Sequence, residues 1–234
     1  MSAIRAIFFD LDDTLWDCQP VILRAEHALL DFLGERYPRV LERHDLESMR
    51  ALRVQVAHEH PAMRHDFTWL RLESLRRHAR DAGYPQAMAD EAFEVFFRAR
   101  NEVVLYDDVR PALDRLVGTH RLFAISNGNA NLRAIGLDHY FEATLAARDA
   151  GMLKPDPRIF EILLQRAGLR AREAAHVGDD PHADVEGART AGLLPVWLNR
   201  RGAAWTLESS APSVEIASLH ELPAALHREE VEHP

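Results

Sequence analysis

Cysteine is nearly missing from this chain. Cys18 is its single example, so no internal disulfide can form and a reducing compartment suits it. Basic charge is also scarce: 28 Lys and Arg stand against 37 Asp and Glu, a formal net charge of −9. Such a field repels a polynucleotide backbone, and no dense Lys/Arg cluster overturns it locally, so nucleic acid is not expected as a partner. No apolar run is long enough to cross a bilayer, and the opening MSAIRAIFFDLDDT has no charged then apolar leader with a cleavage site. Membrane insertion and secretion are therefore not expected, and a cytoplasmic location is. Repeats and low-complexity segments are lacking too. The 13 histidines include no pair at metal-ligand spacing such as HExxH. His58, His60 and His182 read as surface residues, and His176 as a satisfied histidine inside a buried strand.

What is present is an ordinary globular balance, with 47% apolar and 28% charged residues. Ile4–Phe9, Leu122–Ile125, Ala174–Val177 and Leu194–Leu198 are short apolar runs of the kind buried on both faces of a parallel sheet. All but the last are followed by polar or Gly-containing residues and a helical pattern, which argues for βαβ units and a doubly wound α/β sheet. Between the first two runs no strand-like segment occurs. Apolar residues there recur at helical spacing (Val21, Leu23, Ala28, Leu29, Phe32, later Leu70, Leu72, Leu75), with breaks near Gly34–Pro38, His60–Pro61 and Gly83–Pro85. The layout is an α/β core over residues 1–16 and 106–234, interrupted by a helical cap of about four helices over residues 17–105. Residues 200–213 read as a loop without a role, and the charged tail HREEVEHP as a frayed end.

Ligands of an open α/β sheet bind beyond the carboxyl ends of its strands. At those ends stand Asp10-Leu11-Asp12-Asp13-Thr14, Ser126-Asn127-Gly128-Asn129 and Gly178-Asp179-Asp180, with Lys154-Pro155-Asp156-Pro157 at a loop-to-helix junction. Asp10 and Asp12, two residues apart in an extended segment, point to one side. Together with Asp179 and Asp180 they make an all-oxygen, strongly negative site that calls for a hard cation, and Mg²⁺ suits it. With that charge shielded, Asp10 can attack phosphorus to form an aspartyl-phosphate. Asp12 can protonate the leaving alkoxide and then take a proton from water. Phosphoryl transfer depends mainly on positioning and charge stabilisation, which Ser126, the neighbouring backbone N–H groups and Lys154 can supply. Thr14 reads as orienting the loop, and Asp156 as the cap of a helix with Pro157 at its first position.

DLDDTL, ISNGN, KPDP and HVGDD, in this order, resemble the four motifs of the haloacid-dehalogenase (HAD) superfamily, and the helical insert resembles its C1 cap. The likeness runs from Arg5 to Leu198. It implies a Rossmannoid core and a Mg²⁺-dependent phosphatase with Asp10 as nucleophile and metal ligand. Asp12 becomes acid/base and a ligand through its carbonyl, Asp179 the carboxylate ligand, and Ser126, Asn127 and Lys154 the phosphate side. Asp180 and Asp184 are left as unranked support for the metal beside Thr14. DLDDTLWDCQPVILRAEHAL, HDFTWLRLESL, AISNGNA and HVGDDPHADVEGA are further similar to the bacterial YigB-type branch, which acts on FMN or the phosphorylated ribitylaminouracil precursor of riboflavin. That likeness implies a small phosphate monoester as substrate. Trp16 and Trp69 could stack on a flat ring, and Arg64, His65, Asp66 and Arg71 could contact the substrate. Three alternatives share the fold: a phosphomutase or a phosphatase of sugar phosphates, a haloacid dehalogenase, and a non-catalytic binding protein. The dehalogenase has no alkoxide to protonate and no use for Asp12 or Asp179. Oligomeric state is open.

Overall fold

The computed structural model describes residues 4–209, 211–212 and 214–232, with side chains up to residue 229. Among the described residues, six strands form one sheet: β1 (Ala6–Phe9), β2 (Arg121–Ser126), β3 (Ala143–Ala146), β4 (Ala174–Gly178), β5 (Leu194–Leu198) and β6 (Val214–Ile216). Their order is β3-β2-β1-β4-β5-β6 and every pairing is parallel. β1 is buried throughout, as its AIFF sequence requires at the centre of a sheet covered on both faces. The chain winds outward from β1 to β3, then returns to β4 on the other side of β1. The switch point of the sheet therefore lies beside the carboxyl end of β1. In register, Phe9 pairs with Ala124 on one side and Val177 on the other, which sets Asp10 level with the ends of β2 and β4.

β3 and β6 are absent from the sequence expectation. They lie at the two edges, each paired on one side and only partly buried, so neither needs the continuous apolar run that marks a central strand. One face of the sheet packs Phe8, Phe123, Ile125 and Leu145 against Ile159, Phe160 and Leu163 of the helix Pro157–Ala167. Asp156 caps that helix by accepting from Arg158 N at 3.1 Å. The charged tail departs from the frayed expectation: Leu222–Glu232 is helical, anchored by the buried Leu222, Ala225 and Leu226. The tail's final residues, 233 and 234, lie outside the described residues, as do 210 and 213 of the 200–213 loop.

The chain divides into two compact units, one of residues 1–17, 104–128 and 132–234, the other of residues 18–103 and 129–131. The second is helical, with long helices Cys18–Arg36, Leu46–Glu59, Phe67–Asp81 and Ala87–Arg100. Its apolar core joins Leu29, Leu33, Met49, Leu75, Met88, Phe93 and Phe96. Asp45 and Ser48 form a capping box that starts Leu46–Glu59, and Asp66 caps Phe67–Asp81 through Trp69 N. The segment Asn129–Asn131 packs with this unit: Asn129 Nδ2 donates to Thr68 Oγ1 at 3.2 Å, and Asn131 N to Asn101 Oδ1 at 2.7 Å.

Candidate active site

The loop after β1 is shaped by its own backbone. Asp13 N donates to Trp16 O at 2.8 Å and Leu15 N to Leu11 O at 2.8 Å. Asp13 takes φ 60°, a left-handed conformation that Asp tolerates better than most residues. This tight turn follows Asp10, which is 7% exposed and whose N donates to Val177 O at 2.9 Å.

Lys154 lies at the centre of the site. Its buried ammonium donates to Asp10 Oδ1 at 2.5 Å and to Asp184 Oδ1 at 2.6 Å. Its backbone is held by Asn127, which accepts from Lys154 N at 2.7 Å and donates to Lys154 O at 3.1 Å. The Asn127 side chain is thus committed to placing Lys154. Ser126 is buried at the end of β2, its Oγ accepting from Gly128 N at 2.9 Å. Asp179, Asp10 and Asp184 each bring a carboxylate oxygen within 4.8 Å of the other two. Thr14 Oγ1 donates to Asp179 Oδ1 at 3.2 Å, and Trp197 Nε1 to Asp179 O at 2.9 Å.

The two acidic residues left unranked by sequence separate cleanly. Asp180 is exposed and caps the π-helical turn Pro181–Glu186, accepting from His182 N at 2.8 Å and Ala183 N at 2.7 Å. That turn brings Asp184 back into the site, where it is 2% exposed. Asp184 accepts from Lys154, from Asp180 N at 3.0 Å and from His176 Nε2 at 2.9 Å. Its approach requires glycine at 178, because a Cβ there would stand 2.2 Å from Asp184 Cγ and Oδ2. His176 is the functional residue that sequence reasoning missed. It is a buried strand histidine as expected, but its partner is a site carboxylate; the eight-residue spacing to Asp184 carries no periodic signal.

Charge in this cluster is unevenly shared. Burial raises the Asp10 carboxyl well above its usual range, aided by Asp184 and Asp179 and opposed by Lys154. Burial and the charges of Asp184 and Asp13 push Asp179 up to about 7. Burial works against the Asp184 carboxylate too, yet Lys154 and His176 hold it below the usual carboxylate range. Lys154 is raised above the ordinary ammonium value, since Asp10 and Asp184 outweigh its burial. Burial lowers His176 despite Asp184, and its Nε2 faces the Asp184 carboxylate, which accepts. Three carboxyl groups around one ammonium, two of them held back from ionising by burial and by one another, are the oxygen donors that a hard divalent cation would take.

The remaining sequence candidates have other partners. Trp16 is wholly buried and its Nε1 donates to Asp12 Oδ1 at 2.8 Å, so the indole serves Asp12 and offers no open face. Arg71 is buried within the helical unit, 3.5 Å from the Phe96 ring centroid and 4.0 Å from Glu26 Oε1. Arg64 is exposed and donates to Ala57 O at 3.1 Å. Trp69 is half-buried with its ring edge-on to His60 at 5.1 Å.

Among relatives, the chain is 34% identical over 202 residues to the 5-amino-6-(5-phospho-D-ribitylamino)uracil phosphatase YigB of Escherichia coli K12, covering 85% of this chain and 84% of that protein. It is 30% identical over 250 residues to a phosphoserine phosphatase of Thermus thermophilus, covering 94% and 98%. A crystal structure described as 2-haloacid dehalogenase from Pseudomonas syringae pv. Tomato DC3000 superposes with a TM-score of 0.92 at 41% identity, covering 96% of this chain and 99% of that one. Residues 4–192 match the haloacid dehalogenase-like hydrolase family. An enzyme of the hydrolase class, the chain belongs to that family.

Proposed function

We propose that the protein is a Mg²⁺-dependent phosphate monoester hydrolase working through an aspartyl-phosphate on Asp10, with FMN or the phosphorylated ribitylaminouracil as substrate. The carrying observation is the Lys154 ammonium bridging Asp10 and Asp184, with Asp179 within reach of both. Asp10, Asp179 and Asp184 would hold the cation, with the Asp12 carbonyl. Bound there, it would shield the phosphate from the carboxylates and favour the ionised nucleophile.

Asp10 attacks phosphorus while Asp12 gives its proton to the departing alkoxide. The Trp16 N–H occupies one oxygen of Asp12 and so orients the carboxyl. Lys154 and the Ser126 hydroxyl hold the phosphoryl oxygens, and Asn127 keeps Lys154 in place. Asp12 then takes a proton from the water that opens the aspartyl-phosphate. Support for the substrate comes from the ribitylaminouracil phosphatase among the relatives.

The dehalogenase description of one structural relative favours a second reading, displacement of halide from carbon by the same Asp10. A reaction with no alkoxide leaves Asp12 and the three-carboxylate cluster without a task. Phosphate release from p-nitrophenyl phosphate, with Mg²⁺, with EDTA and with Asp10→Asn, tests the chemistry beside chloride release from a 2-chloroalkanoate. Turnover that survives EDTA or Asp10→Asn, or chloride as the product formed, overturns the phosphatase reading. A substrate panel tests the rest: kcat/KM for the flavin-related phosphates no better than for sugar phosphates overturns that assignment.

A further inference from the structure

We propose that Arg200 is a positioning residue, which holds the nucleophile loop in its reactive shape by clamping the carbonyl of Thr14. Nothing in the family motifs singles it out, and it lies in the loop for which the sequence suggests no role.

Arg200 stands two residues beyond β5. Its Nε and Nη2 donate to Thr14 O at 3.3 and 3.0 Å. The other edge of the guanidinium forks onto Asp108, Nη1 to Oδ2 at 2.8 Å and Nη2 to Oδ1 at 3.0 Å. The Tyr106 ring covers its face, with the centroid 4.2 Å from Cζ. Asp108 is itself fixed, accepting from Ser218 Oγ at 2.7 Å and Leu219 N at 2.8 Å. A planar, five-donor head can serve both a carbonyl and a carboxylate in this way, and a lysine cannot.

The far end of this chain of contacts is the site. Thr14 is fully buried, and while its carbonyl is held by Arg200 its hydroxyl donates to Asp179. The residue before it, Asp13, has a left-handed backbone, which persists only where surroundings impose it. Trp197, three residues before Arg200, takes the Asp179 carbonyl. One stretch at the end of β5 therefore grips the backbones of the loops that carry Asp10, Asp12 and Asp179. Without Arg200, Thr14 O and the Asp108 carboxylate each lose part-buried donors, and the turn loses a contact that opposes its strain. The effect falls on reaction geometry more than on substrate affinity, since Arg200 acts on the site through Thr14.

This inference rests on the phosphatase reading, and the test separates the two. Wild type, Arg200→Ala, Arg200→Lys and Asp108→Asn are compared on p-nitrophenyl phosphate at saturating Mg²⁺, and by amide hydrogen exchange of peptides covering residues 10–16. In Arg200→Ala we expect kcat to fall about 100-fold, the scale of an ångström-sized misplacement, with KM within about threefold. Exchange should quicken in residues 10–16 and not in β2 or β4. Arg200→Lys and Asp108→Asn should lie between Arg200→Ala and wild type, and they carry the test if Arg200→Ala does not fold. A kcat within about threefold of wild type, or faster exchange spread across the whole sheet, overturns the proposal. Absence of phosphate release by the wild type overturns the phosphatase reading instead, and local exchange then decides alone whether Arg200 holds the loop.

Discussion

At the scale of single residues, the site depends on atoms that never touch substrate. Gly178 is one such case. Its missing Cβ is what lets Asp184 reach Lys154, since the added carbon would sit 2.2 Å from the carboxylate. Gly178→Ala must therefore displace Asp184, and we expect kcat on p-nitrophenyl phosphate to fall about 100-fold while the fold persists by circular dichroism. Trp16 is another. Trp16→Phe keeps the buried ring and removes the donor to Asp12, so the carboxyl loses its orientation. A lost hydrogen bond of this type corresponds to about a tenfold lower kcat, with KM unmoved; a normal kcat would show that Asp12 needs no such support.

Within the helical unit, individual helices are held by charge as well as by apolar contact. Glu26 is buried in the helix Cys18–Arg36 and receives Arg50, Arg53 at 3.4 Å and Arg71 at 4.0 Å. Glu26→Gln leaves these cations without their carboxylate, and we expect a loss of about 3 kcal/mol in urea unfolding. The helix Phe67–Asp81 carries a pH dependence. His78 is pushed down to about 4 by burial and by the neighbouring His44, against the pull of Asp81. An unfolded imidazole titrates near 6.5, so between these values the unfolded chain holds the extra proton. The stability tied to neutral His78 is complete above about pH 6.5 and is lost as pH falls towards 4. Urea midpoints at pH 7 and pH 5 should show this fall, and His78→Met should flatten it.

For the molecule as a whole, the acidic cluster links stability to metal. A ligand that binds only the folded chain stabilises it by about 2.7 kcal/mol at a hundred times its Kd. For a chain of this size that corresponds to roughly a 5–10 °C rise in Tm. Mg²⁺ should therefore raise Tm, EDTA should reverse the rise, and Asp184→Asn should reduce it. A Tm indifferent to Mg²⁺ would mean that Asp10, Asp179 and Asp184 hold no such cation.

Much of this was legible in the chain before any fold was drawn. The four central strands announce themselves as buried apolar runs, and the helical insert as a change of period from strand to helix. The residues at the strand ends follow from those assignments alone, because a parallel sheet presents its carboxyl ends on one rim. The edge strands β3 and β6 were not legible, since a half-exposed strand against one neighbour needs no continuous apolar run. Nor were the supports of the site. His176 on Asp184, Arg200 on Thr14 and Trp197 on Asp179 join residues 8, 186 and 18 positions apart. No periodicity records such pairs; they exist only once the strands are in register. Sequence by itself therefore determined which carboxylates, serine and lysine lie at the rim. Tertiary structure alone decided that Asp184, not Asp180, turns inward, because a π-helical turn returns the first while the second is spent on capping that turn.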